Sequence, residues 1–238
     1  MKRKGFKGIL LLLSMLFALT GCSVSEATQH GMAVDTIQAE DVLLRVDFLN
    51  VGQADCALLS TKGHYMVIDG GNNGDADTIL SYLEGQGVEK LDAVVGTHPH
   101  EDHIGSLDAI INHFDVDAVY MPKIMHTSKT FEDVLDAVAN KGLKIKSPDP
   151  GDTIDFNGLE IEVLGPQREY KDFNNNSIVL KVNAGETAFL FTGDAEETAE
   201  KDILQADYDL QADMLKVGHH GSSTSSSQAF LQAVKPKY

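Results

Sequence analysis

The chain has 238 residues, 42% hydrophobic and 23% charged, with 19 Lys plus Arg against 36 Asp plus Glu and a formal charge of −17. That composition is globular rather than disordered, and the length suits one compact domain with a real core. The acid excess weighs against charge-driven, non-specific nucleic-acid binding, and two cysteines cannot form a disulfide scaffold.

Lys2, Arg3, Lys4 and Lys7 precede an almost wholly apolar run over 9–19. The run is too short to span a bilayer, which takes roughly 20 apolar residues, and it fits a secretory leader. It closes on Leu19-Thr20-Gly21-Cys22, which resembles the lipobox of bacterial lipoproteins. That resemblance implies cleavage of residues 1–21, acylation of Cys22 and an extracytoplasmic protein tied to the bacterial membrane by its lipid anchor alone. Cleavage removes four basic residues and no acid, leaving 15 against 36, a charge of −21. Residues 22–41 are polar and aperiodic and read as a tether that includes His30. A domain then runs over 42–238.

Short β-branched or aromatic runs bounded by Gly, Asp, Asn or Pro predict strands over 43–48, 56–60, 65–68, 93–96, 118–121, 161–164, 178–182, 188–191 and 214–217. Apolar residues spaced by three and four predict helices over 76–84, 104–113, 131–141, 196–204 and 228–234. Cys56 falls in an apolar run and reads as an inert buried thiol. The serines of 222–227 have no base paired with them and read as a loop capping the last helix.

Between strand 93–96 and the following helix lies Thr97-His98-Pro99-His100-Glu101-Asp102-His103. Three histidines and an aspartate packed into one loop can converge on a point, and imidazole and carboxylate are ligands of first-row metals.

H-x-H-x-D-H after a strand resembles the signature of metallo-β-lactamase-fold hydrolases. Further stretches are similar to the ComEC/late-competence group: 48–55 (FLNVGQAD), 67–71 (VIDGG), 192–196 (TGDAE) and 215–222 (LKVGHHGS). The resemblance covers 43–238 and implies a four-layer α/β/β/α sandwich with two divalent ions, Zn or Mn, at one edge. By that carry-over His98 and His100 face the first ion, and Asp102 and His103 face the second. Asp194 bridges the two, and His219 completes the second site. His220 is the alternative ligand, or a donor to substrate. Asp69 becomes a carboxylate that orients a ligand histidine. Many members of the fold place a third first-site histidine in the interval between His126 and His219, where this chain has none. The corresponding stretch 172–177 (DFNNNS) resembles the Asn/Ser-containing segment of the ComEC group, which implies Asn174 or Asn176 as a weak ligand of the first ion. An amide oxygen there favours a looser ion such as Mn²⁺.

The implied chemistry is hydrolysis by a metal-bound hydroxide, most readily of a phosphodiester such as DNA or a cell-wall polymer, with Asp102 and His220 as catalytic groups. Lys123 and Lys129 are candidates to border the cleft. A degenerate metal-binding lipoprotein without turnover is the alternative, and no protein partner is identifiable. The ending Val234-Lys235-Pro236-Lys237-Tyr238 resembles the lead-in to a further strand, so a C-terminally truncated version of the domain is expected.

Overall fold

The structure is a computed structural model, and it describes residues 43–238. The leader, Cys22, the tether and His30 lie outside the described residues.

The first half runs β1 (Arg45–Phe48), β2 (Ala57–Thr61), β3 (His64–Ile68), α1 (Ala76–Gly85), β4 (Lys90–Leu91), β5 (Ala93–Val95), α2 (Glu101–Ile104), α3 (Leu107–His113), β6 (Asp115–Val116), β7 (Val119–Tyr120), α4 (Lys129–Asn140) and β8 (Ile145–Lys146). The second half runs β9 (Thr153–Phe156), β10 (Leu159–Gly165), β11 (Val179–Ala184), β12 (Thr187–Phe191), α5 (Glu197–Gln205), β13 (Met214–Lys216) and α6 (Gln228–Val234). One sheet has the order β1-β2-β3-β5-β7-β8 and the other β13-β12-β11-β10-β9, while β4 and β6 form a small ribbon.

Side-chain alternation builds the layers. In β2, Leu58 turns to a core with Leu83 and Ile110 of the helices, whereas Leu59 joins Met66, Ile161, Leu180 and Phe191 between the sheets. Both faces of the strand are therefore buried, which is why its sequence reads as a continuous apolar run. Beyond the second sheet, Leu164, Val179 and Leu190 meet Ile203 of α5 and Phe230 and Val234 of α6. The result is the four-layer α/β/β/α sandwich expected from the sequence. Ser227 caps α6 by accepting the Phe230 N–H. No described helix is long and apolar enough to cross a membrane.

The helix expected over 104–113 is two helices. Gly105 passes so close to the 72–73 backbone that a Cβ there would stand 2.2 Å from the Asn72 carbonyl carbon. The chain breaks at Gly105-Ser106 to let that turn in, and Ser106 Oγ donates to the Asn72 carbonyl at 2.6 Å. Strands β4, β6, β8 and β9 were not expected from the sequence. The backbones of Lys237 and Tyr238 hydrogen-bond to Asp213, and the Tyr238 carbonyl accepts from Leu215 on the outer edge of β13.

Parallel pairing sets the site. β3 with β5, and β12 with β13, run parallel, so each pair sends two loops from its C-terminal end to the same edge, where open α/β sheets place ligands.

Candidate metal centre

Those four loops carry Asp69, the 97–103 segment, Asp194 and the His219-His220 pair. Asp69 takes a left-handed φ of 62° at the end of β3 and is buried. It accepts the Thr97 N–H at 2.8 Å and the Thr97 hydroxyl at 2.9 Å, and its Oδ2 stands 2.8 Å from His103 Nδ1. Asp69 thus faces the Nδ1 side of the His103 ring, and the ring's Nε2 lies toward Asp194 at 3.1 Å. His98 is held from behind in the same way, with Nδ1 3.3 Å from the hydroxyls of both Thr97 and Ser177.

Asp194 sits at the meeting point. Its N–H donates to Ser177 Oγ at 3.0 Å. The preceding Gly193, at φ 50°, passes where a Cβ would come within 2.9 Å of both the Ser177 and Thr97 hydroxyls. Two donor sets share its carboxylate: His98, His100 and Asp194, and Asp55, His103, Asp194 and His220, each with one ligand atom per residue within 4.8 Å of the others.

The chemistry of these groups fits divalent cations. His98 Nε2 faces His100 Nδ1 at 3.0 Å, and His103 Nε2 faces His220 Nε2 at 3.3 Å. Imidazole nitrogens clustered in this way around one shared carboxylate are a donor set that suits first-row divalent cations. Asp194 Oδ1 is buried with no hydrogen-bond donor, although His103 Nε2 lies 3.1 Å away outside hydrogen-bond geometry. A buried carboxylate oxygen of this kind is costly unless a charge compensates it.

Charge in the metal-free protein follows the same contacts. Burial opposes charge on the His103 imidazole, but Asp69 and Asp194 outweigh it and hold the pKa at about 10. The hydrogen bond that His220 donates to Asp102, helped by Asp55, raises His220 to about 9. His220 in turn holds Asp102 down at about 2. Burial and the neighbouring His103 push His98 well below its ordinary value.

Among the other expected site residues, His219 and Asp102 lie outside the two donor sets and Asn176 is engaged elsewhere. His220, not His219, enters the second set: His219 turns its Nδ1 to Glu196 Oε1 at 3.1 Å, and its Nε2 stays 3.9 Å from Asp194. Both histidines take left-handed φ, 49° and 50°, a strained turn of the kind found at functional sites. Asn176 is not free to act as a ligand, because its amide bonds the backbone of Tyr170 twice and the Asp172 carbonyl once. Asn174 Oδ1, by contrast, is buried and unpartnered. Asp102 stands beside the second set rather than within it, 3.1 Å from His220 Nε2.

Asp55 is the residue the sequence reading missed; its one signal was its place at the end of the 48–55 stretch. Among the remaining histidines, His126 packs on Phe173, whose ring is 5.7 Å from His100, whereas His64 pairs with Asp92 and His113 with Glu84 away from the centre. A groove of about 840 Å³ is lined by Phe173 together with Lys123, Met125, Tyr170 and Lys171. Lys129 instead pairs with Asp133 on α4. Cys56 is buried, and burial pushes its thiol up, as expected of an inert residue.

The family profile of the metallo-beta-lactamase superfamily matches residues 49–238. ComE operon protein 3 of Bacillus subtilis (strain 168) is 29% identical over 211 residues, covering 81% of this chain and 27% of that protein. Competence protein ComA of Neisseria gonorrhoeae is 30% identical over 200 residues, covering 79% and 25%. The chain thus spans about a quarter of the length of these relatives. A solved metallo-beta-lactamase of Cronobacter sakazakii has a TM-score of 0.52 at 15% identity, over 73% of this chain and 77% of that one, a likeness of fold alone. With the sandwich, the edge position of the site and the matched span all in agreement, the chain belongs to the metallo-beta-lactamase superfamily.

Proposed function

We propose that this chain is a metal-dependent phosphodiesterase, held outside the cytoplasm by a lipid on Cys22. The observation that carries the reading is the single carboxylate of Asp194 shared by two sets of ligand atoms. His98, His100 and Asp194 would hold the first ion, with Asn174 as the added oxygen. His103, His220 and Asp194 would hold the second, with Asp102 beside them. Two divalent ions, Zn or Mn, supply a lowered pKa for coordinated water and positive charge for the group under attack.

The chain's own residues do the rest. Asp102 stands beside the second set, 3.1 Å from His220 Nε2, where its Oδ2 is placed to accept the proton of the attacking water and return it to the leaving oxygen as the phosphorus–oxygen bond breaks. The diester would lie along the groove past Phe173, where Lys123 and Lys171 offer charge to flanking phosphates. Relatives bearing competence names support DNA as the phosphodiester, and a cell-wall polymer offers the same linkage.

Metal content measured together with turnover of bis-p-nitrophenyl phosphate tests the activity. Turnover should vanish on chelation and return with Zn²⁺ or Mn²⁺; full occupancy without turnover of any diester would favour the metal-binding lipoprotein instead. The anchor has its own test: Cys22→Ser should move the protein from the membrane to the soluble fraction, and unchanged fractionation would refute lipidation.

A further inference from the structure

Asp55 has its ligand atom within reach of the second set, yet both of its oxygens are engaged elsewhere. Oδ2 stands 2.7 Å from Lys216 Nζ, and Oδ1 stands 3.4 Å from His220 Nδ1. Its backbone is pinned on both sides, with its N–H donating to the Asp102 carbonyl at 3.0 Å and its own carbonyl accepting from Gly71 at 2.8 Å. Across the His220 ring, Nε2 faces His103 Nε2 at 3.3 Å, Asp102 Oδ2 at 3.1 Å and Asp194 Oδ2 at 3.7 Å. The same order of groups occurs at His103, whose Nδ1 meets Asp69 at the shorter distance of 2.8 Å and whose Nε2 meets Asp194.

We infer that Asp55, locked by Lys216, is a positioning residue that fixes His220 with Nε2 toward the second ion, and is not itself a ligand. The inference rests on the two-ion reading above. A carboxylate at Nδ1 holds the ring in the tautomer whose Nε2 is free and makes that nitrogen a better donor. His220 needs such support more than most ligands, since it sits in a run of three left-handed residues, His219, His220 and Gly221, in a single short 3-10 turn rather than in a strand or an α-helix. Lys216 supplies the lock from the right place. It ends β13 on the second sheet, four residues before His220, while Asp55 lies in the loop entering β2 on the first. The ion pair therefore ties the two halves of the sandwich together where the His220 loop departs. It also cancels the Asp55 charge, so that Asp194 remains the carboxylate of the set that faces the ion.

The test is metal titration of the chelator-stripped full-length protein, using Zn²⁺ calorimetry and the visible absorption of Co²⁺, on wild type, Asp55→Asn, Lys216→Met and Lys216→Arg. In Asp55→Asn the first equivalent should bind as in wild type and the second about 10–100-fold more weakly, with the saturated Co²⁺ spectrum unchanged because the ligands are the same. Lys216→Met should weaken the second equivalent in the same direction, and Lys216→Arg should restore it. A wild-type affinity for the second ion in Asp55→Asn overturns the inference. So does a saturated Co²⁺ spectrum that changes in that variant, since it would make Asp55 a ligand. A wild type that takes up no second equivalent sinks the two-ion reading and this inference with it, whereas the other two results leave that reading standing.

Discussion

Asp69 Oδ2 and His103 Nδ1 meet at 2.8 Å with both side chains out of contact with solvent. The pair joins the end of β3 to the metal loop after β5, so it serves the fold as well as the site. Removing one partner of a buried pair leaves the other uncompensated, at a cost of about 3–5 kcal/mol. Asp69→Ala should therefore lose about that much stability in urea unfolding of the metal-free protein, and Asp69→Asn, which keeps one acceptor oxygen, should lose less. Equal stability of Asp69→Ala and wild type would mean that the pair contributes nothing to the fold.

Protons and metal ions compete for the same nitrogens. His103 is raised from 6.5 to about 10 and His220 to about 9, so both carry protons at neutral pH when no ion is bound. Their contribution to metal-free stability is fully present below about 6.5 and is lost as pH rises through 9 and then 10. Metal uptake has the opposite sign, because ligands must deprotonate. Zn²⁺ binding at pH 7.5 should release about two protons with the second equivalent, read from calorimetry in buffers of different ionisation enthalpy. A binding heat indifferent to buffer would rule this out.

Much of this centre was legible in the sequence because its ligands come in contiguous motifs, and the short spacings of His98, His100 and His103 need only one loop to converge. The choice between His219 and His220 was not legible: the two are adjacent and identical, and only a left-handed backbone decides which ring turns inward. Asp55 was hidden for another reason. An aspartate after a glycine-containing loop looks like a turn former, and its partners Lys216 and His220 lie more than 150 residues away in the chain. In the fold, β4, β6 and β8 are two residues each, too short to show a period. The break at Gly105 is invisible to periodicity, since Ile104, Leu107, Ile110 and Ile111 continue a helical stripe across it.

The asparagines separate a structural role from a ligand role. Asn176→Ala leaves the Tyr170 N–H and carbonyl and the Asp172 carbonyl without their side-chain partner, and unsatisfied buried groups cost about 1–3 kcal/mol. It should destabilise the protein by roughly that amount even without metal. Asn174→Ala should leave metal-free stability nearly unchanged and weaken the first ion. Likewise His220→Ala should abolish the second ion while His219→Ala retains it, and Asp194→Ala should lose both. Thermal melts with and without Zn²⁺, together with metal stoichiometry, check all five variants. Loss of the second ion in His219→Ala with retention in His220→Ala would reverse the assignment.

The groove past Phe173 makes a prediction about substrate length. Lys123 and Lys171 line it, and neither forms an ion pair among the described residues, unlike Lys129, which Asp133 holds. Bis-p-nitrophenyl phosphate is a single diester with no flanking phosphate to reach them. An oligonucleotide has several. Losing one charge-assisted contact costs about 1.4 kcal/mol, or about tenfold in affinity. Lys123→Glu and Lys171→Glu should therefore raise KM for an oligonucleotide about tenfold each, with a smaller effect on the single diester. Each should also make the slope of log affinity against log salt shallower by about one. Equal losses on both substrates, with an unchanged salt slope, would place the polymer elsewhere on the surface.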